Sequence, residues 1–436
     1  MVKRLTLWAA CLVAFAAVAA AASGARFASQ AEILITCQVC EASPTDAFSQ
    51  SRYEVVQAFN KKYKGKYRVK PEHFGSTPSE EAQYWNRLAL ANALPDIFVA
   101  QSTRLQDLSR TGKLYNVRSA LNKDKAWKNS FYPGSLTSLT GPKGQLWGIP
   151  EQRDVVGIYY NKSLFAAAGV TRFPRTWSEF LSAAQKLKAD GVIPFAMDGD
   201  WVTQLMWANL IGTQPGGEKF LFSGIRNGKY ASFPIVVKAT EFLKKLHTDG
   251  YVNQDAFSGD YPNAANPFLQ GQAAMIANGP WMVQADIKGK AAQAGLYGKV
   301  GYESSPGWTA GKRGVIVLAG NAGWASGASE PDKRQAVIAF MKFTTSPVIQ
   351  LQRTIKTGAY WAVKLKLTAK QVRRLEPLTY RLVKNADQAT YHYPHAKYAT
   401  QQPFSDAWKN YWPGYVQGSL TTKEFLDKLS QTAAGS

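Results

Sequence analysis

Cysteine, histidine and acidic side chains are all scarce in this sequence. Its 436 residues include three cysteines and four histidines. Three thiols cannot build a disulfide scaffold or a four-cysteine zinc site. His73 and His247 stand alone, and His392 and His395 have no acidic or cysteine residue nearby, so exposed histidines are expected rather than a metal site. Charged residues amount to 19%, below the ~25% of an average globular chain. The 45% hydrophobic content nevertheless excludes a disordered chain. Only one stretch is long, apolar and uncharged, which excludes a multi-pass membrane protein. No GxSxG elbow, HExxH pair or Walker loop is present. No motif nominates the two opposed carboxylates that glycoside hydrolysis needs.

The shortage of acid leaves 52 Lys and Arg against 30 Asp and Glu, a formal charge of +22. Such a balance first suggests nucleic acid. The basic residues are scattered, however. Their densest clusters are Lys61-Lys62 with Lys64 and Lys66, Lys244-Lys245 and Arg373-Arg374, none of which resembles a basic arm. A solvated basic surface without nucleic-acid binding is expected.

Lys3 and Arg4 precede an uncharged run from Leu5 to Ala22, and Ser23-Gly24-Ala25 follows. A positive start, an apolar middle and a small-residue exit describe a secretory signal peptide over residues 1–25. Extracytoplasmic location, in the periplasm or at the outer cell surface, follows from that. Cys11 lies too early in the run, with Trp8 at an aliphatic lipobox position, for lipidation. The two remaining cysteines form Cys37-Gln38-Val39-Cys40. A local disulfide between Cys37 and Cys40 suits an oxidising compartment. A redox CxxC would open a helix, whereas Ser43-Pro44-Thr45 follows here.

The mature chain opens with a βαβαβ alternation. Strands are expected at Glu32–Thr36, Lys66–Lys70 and Pro95–Val99. The helix between the first two runs from about Arg52, where Ser51 and Glu54 have capping-box spacing. A second helix opens at Thr77-Pro78-Ser79-Glu80. Such alternation implies a parallel sheet with helices on both faces. The pattern restarts with a strand at Val155–Asn161, a helix capped by Thr176 and a strand at Val192–Ala196. Later come a helix at Ile235–His247, strands at Ala273–Ala277 and Val315–Leu318, a helix from Pro331 and a last helix from Thr421. Long loops are expected around Trp201–Gly228 and Tyr251–Pro267.

Several segments together resemble one family. They are Trp147-Gly148-Ile149-Pro150, Ile158-Tyr159-Tyr160-Asn161-Lys162, Arg175-Thr176-Trp177-Ser178-Glu179-Phe180, Gly271-Gln272-Ala273-Ala274-Met275 and Asn278-Gly279-Pro280-Trp281. In order and spacing they are similar to family 1 extracellular solute-binding proteins, the maltose-binding-protein-like sugar receptors of ABC importers. The resemblance implies a two-lobed α/β fold of periplasmic-binding-protein type II. Each lobe would be a mostly parallel sheet flanked by helices, and hinge strands would join the two. Residues 26–150 with 265–325 would form the N-lobe, and 151–264 with 326–436 the C-lobe. Such a chain would act as a monomer without cofactor or metal, and would deliver a mono- or oligosaccharide to membrane permease subunits. A secreted carbohydrate-active enzyme is the alternative.

A sugar offers flat C–H faces to aromatic rings and hydroxyls to charged hydrogen-bonding groups. The resemblance places a ligand-stacking ring at Trp281 and aromatic contacts at Trp201 and Trp408. Trp324 is a secondary candidate where the chain crosses between lobes. Asp200 precedes Trp201 and is a candidate for hydroxyls or for capping a turn. Glu151, Arg153 and Asp154, with Gln152, enter the strand after Pro150 as a polar hinge beside the ligand. Glu41 follows the first strand as a further hydroxyl acceptor. Arg104 follows the third strand and is a weaker candidate for the cleft. Trp177 and the pair Tyr159-Tyr160 read as core.

Overall fold

The computed structural model describes residues 32–433 apart from 45, 76–80, 133–134, 320–321 and 328–329. The leader expected over residues 1–25 and the helix start at Thr77 lie outside the described residues. Among the described residues, no helix is long and apolar enough to cross a membrane.

Two sheets organise the chain. The first contains β1 (Ile33–Gln38), β2 (Tyr67–Glu72), β3 (Ile97–Gln101), β4 (Ile149–Pro150) and β9 (Ala322–Ala325), in the order β2-β1-β3-β9-β4. The second contains β5 (Arg153–Asn161), β6 (Met275–Asn278), β7 (Val300–Glu303), β8 (Gly314–Ala319) and β10 (Tyr391–Tyr393). Here β5 is central, with β6 on one edge and β7 and β8 along the other, and β10 extends from β8.

Both sheets are mixed rather than mostly parallel. In the first, β1 is parallel to β2 and β3, while β9 runs antiparallel between β3 and β4. In the second, β6, β7 and β8 are all antiparallel to β5. These pairings also redraw the expected segment boundaries. Residues 275–319 stay with the second sheet because β5 completes the hydrogen-bonding edges of β6, β7 and β8. The chain regains the first lobe only at β9 and then adds the helix Pro331–Thr344, whose Val337 and Phe340 join the first core. The helix Pro347–Thr357 makes the third crossing. Its Ile349 lies in the first core and its Leu351 in the second lobe's core.

Local chemistry explains most elements. The first helix spans Ala47–Lys62, beginning earlier than the Ser51–Glu54 pair suggested. Asp46 caps it, accepting from Phe48 N and Ser49 N, while Ser51 is buried within it. Thr176 and Thr421 cap their helices as expected, Thr421 in a full capping box with Glu424. Val192–Ala196 forms isolated bridges rather than a strand. Two expected loops are helical. Trp201–Gly212 is buried all round except at Trp201, so it carries no polar face and no readable period. Tyr261–Leu269 starts at a capping box between Asp260 and Asn263, with Pro262 in its first turn. Cys37 and Cys40 are joined by a disulfide, with Val39 in the left-handed region at φ 63°.

Candidate ligand-binding site

The crossing from β4 to β5 sets the geometry of the interlobe region. Glu151 sits in that crossing and is 1% exposed. Arg52 of the first helix grips it through two bonds, Nε to Oε1 at 2.7 Å and Nη2 to Oε2 at 2.9 Å. Arg353, from the third crossing, donates Nη2 to Oε1 and Nη1 to the Glu151 carbonyl at 2.8 Å. Gln350 Nε2 donates to the same carbonyl at 3.2 Å. Burial alone would raise the Glu151 carboxyl, but the two guanidiniums outweigh it and hold it at about 2. Both Oε atoms accept from guanidiniums, so Glu151 ties the crossings together.

Its neighbours behave differently. Arg153 lies between two rings, 4.5 Å from the Tyr132 centroid and 5.3 Å from that of Tyr360. Its backbone N donates to the Tyr360 carbonyl at 3.0 Å, which closes the third crossing onto β5. Asp154 is buried and accepts from Gln152 Nε2 at 2.9 Å. On the same strand, Tyr159 donates its hydroxyl to the Gly279 carbonyl at 2.9 Å and so holds the turn after β6.

That turn presents Trp281. Gly279 is needed there because a Cβ would meet the indole ring at 2.2 Å. The Trp281 ring lies 5.9 Å from that of Trp201, and Trp201 stacks on Tyr261 at 5.0 Å. All three rings are half-buried. Trp201 opens the helix Trp201–Gly212, and Asp198 satisfies that helix end by accepting from Asp200 N, Val202 N and Thr203 N. Burial pushes the Asp198 carboxyl up to about 7 despite those donors, and the nearby Asp200 charge adds to the rise. Asp200 itself makes no cap. It pairs with Lys409 Nζ at 2.8 Å and accepts from Gln204 Nε2 at 3.3 Å. Tyr261 donates to Asp286 Oδ2 at 2.9 Å.

Two expected rings lie elsewhere. Trp408 is fully buried, stacked on Trp412 at 5.0 Å and edge-on to Phe425 at 5.4 Å. It packs the helix Ala396–Val416 into the second lobe's core. Trp324 is fully buried on β9 and meets Phe340 edge-on at 5.2 Å. Glu41 is on the first lobe, partly exposed, accepting from Phe74 N at 3.0 Å and lying 3.2 Å from His73 Nδ1. Arg104 pairs with Asp107 on its own helix.

The structure thus brings Trp201 and Trp281 together, with Asp200 adjoining them, and places Arg153 and Asp154 on the strand that braces their turn. Sequence reasoning missed Tyr261, Asp198, Arg52, Arg353 and the Tyr132–Tyr360 pair. The Asp198-Gly199-Asp200 cluster before a helix was a readable signal. The partners of Glu151 lie far away in the chain and left none. Chemically, the site offers stacking surfaces and fixed carboxylates, the usual make-up of a pocket for a polyhydroxylated molecule. Among the described residues, no group of three or more His, Cys, Asp or Glu could hold a metal ion.

A family model described as bacterial extracellular solute-binding protein matches residues 41–351. The multiple sugar-binding protein of Streptococcus mutans is 27% identical over 204 residues, 45% of this chain and 47% of that protein. The sn-glycerol-3-phosphate-binding periplasmic protein UgpB of Brucella abortus is 24% identical over 325 residues, 71% of this chain and 68% of that protein. The chain therefore spans about half the length of the streptococcal relative. Among solved structures, a chitin oligosaccharide binding protein matches with a TM-score of 0.75 at 22% identity, covering 93% of this chain and 98% of its own. A cyclic alpha-maltosyl-1,6-maltose binding protein from Arthrobacter globiformis matches at 0.74 and 18% identity, with the same coverage. At these identities the structural likeness establishes the fold.

Proposed function

Because the chain belongs to the bacterial extracellular solute-binding proteins, we propose that it captures a saccharide between its lobes and hands it unchanged to an ABC permease. The observation that carries this reading is the half-buried ring cluster Trp201–Tyr261–Trp281, held by the Gly279 turn beside Asp200. Rings so placed cover the apolar faces of a pyranose, and neighbouring polar groups take its hydroxyls. A guest lacking those hydroxyls would leave buried polar groups unpaired.

The lobes act as the two jaws. Residues 32–150 with 322–349 form one, joined by Val363 where it pairs with Phe131, and residues 153–319 with the rest of the chain after the third crossing form the other. Closure pivots on the three crossings, where Glu151, Arg52 and Arg353 keep the segments in register while the jaws move. One chain carries a whole site, so the working unit is a monomer. The protein works outside the cytoplasm after loss of residues 1–25, and its relatives are binding proteins rather than enzymes.

The test is a screen of neutral and acidic mono- and oligosaccharides by tryptophan fluorescence and thermal shift. A ligand that quenches or shifts Trp fluorescence and raises the melting temperature is the expected result. No response across the panel would overturn the reading, as would release of products from a polysaccharide panel.

A further inference from the structure

A cavity of about 860 Å³ opens beside the Tyr132 ring on which Arg153 rests. Its volume is that of a small-molecule site. Arg110, Arg118, Lys128, Arg226 and Lys364 all line it, and no Asp or Glu does. Arg110 and Arg118 belong to the first lobe, and Arg226 to the turn Gly224–Asn227 of the second. The cavity thus lies between the jaws.

Among the described residues, none of the five cations is in an ion pair. Arg118 donates to the Gly144 carbonyl at 2.8 Å and to Thr140 Oγ1 at 2.9 Å. Lys128 donates to Asn122 Oδ1 at 2.9 Å, and Lys364 to the Asn129 carbonyl at 3.1 Å. These neutral acceptors orient the charges without cancelling them. Arg110 and Arg226 have no side-chain hydrogen bond or ion pair with any described residue. Like charges gathered in a cleft raise its potential and concentrate anions there. Facing cations on opposite jaws also resist closure until an anion lies between them.

Resting on the receptor reading, we propose that the cargo is an anionic saccharide bearing carboxylate or phosphate groups, whose acidic part occupies this basic cavity. Its charge would then help draw the jaws together as well as provide affinity.

The experiment is calorimetric titration of the full mature chain with four probes: trigalacturonate, its carboxyl-reduced neutral counterpart, glucose 6-phosphate and inorganic phosphate. Binding of trigalacturonate or glucose 6-phosphate is expected, and which of the two binds identifies the acidic group. Raising salt from about 20 to about 300 mM should weaken the acidic ligand and leave a neutral one unchanged. The double variant Arg110→Gln with Arg226→Gln should lose about tenfold or more in affinity. Neither side chain has a partner to orphan among the described residues, so its melting temperature should stay near wild type, and Arg110→Gln alone should show an intermediate loss. Equal binding of the neutral counterpart, unaffected by the variants, would overturn the proposal and leave the receptor standing. Inorganic phosphate binding as tightly as the saccharides would overturn the saccharide assignment. Silence from all four probes would also overturn it, while the neutral members of the panel above judge the receptor separately.

Discussion

Replacing Glu151 with Gln tests the reasoning about the crossings most directly. The carboxylate sits between two guanidiniums whose side chains are 13% exposed for Arg52 and 6% for Arg353. Gln keeps the shape and one acceptor oxygen but leaves two nearly buried positive charges facing each other. Removing one member of such a buried set costs roughly 3–5 kcal/mol. The depressed acidity of the carboxyl gives a second figure. The Glu151 carboxyl falls from an ordinary 4.5 to about 2, which corresponds to about 3 kcal/mol of stabilisation when it is ionised. A depressed acid stabilises fully above its unfolded value, and that contribution is lost as pH falls through the folded one. Equilibrium urea unfolding of wild type and Glu151→Gln should therefore differ by about 3–5 kcal/mol at pH 7. The gap should narrow between about pH 4.5 and 2 as the wild-type carboxylate gains its proton. A difference below about 1 kcal/mol at neutral pH, typical of an exposed pair, would refute the argument. So would a gap that does not change with pH.

Other substitutions separate ligand contact from packing. Trp281→Ala should weaken saccharide binding strongly with little loss of stability, while Trp408→Ala should cost about 3–5 kcal/mol of stability; calorimetry and urea melts read the two effects. Gly279→Ala should reproduce the binding loss of Trp281→Ala, because its Cβ displaces the ring, and unchanged affinity would contradict the turn's role. Asp198 has a carboxyl raised to about 7, so its contribution is present below the unfolded value near 4 and fades as pH climbs to 7; Asp198→Asn should remove that slope from the stability profile. Replacing Cys37 and Cys40 with Ser should lower unfolding stability by roughly 2 kcal/mol, the loop-closure value for so short a ring.

The opening βαβαβ unit was readable because its signals are local. Buried strands such as Pro95–Val99 and helix starts at Thr176 and Thr421 depend on neighbours a few residues away. The placement of Trp281 in a Gly-Pro turn after a strand was also legible, since both signals are adjacent in the chain. The rest depended on long-range packing. Trp408 and Trp281 look alike in sequence, and only Phe425 and Trp412 make one of them core. The helix Trp201–Gly212 is apolar on every side, so it has no period to read. Strand β9 could have extended either sheet, and its place between β3 and β4 is decided by backbone pairing that one-dimensional pattern does not encode.

The position of β9 has a consequence for biogenesis. In the first sheet it sits between β3 and β4, yet it comes more than 170 residues after β4 in the chain. A nascent polypeptide therefore exposes β3 and β4 long before the strand that joins them arrives. The first sheet must wait unfinished while residues 151–321 are delivered. Completion of the first sheet is consequently a late event, coming after every strand of the second sheet except β10.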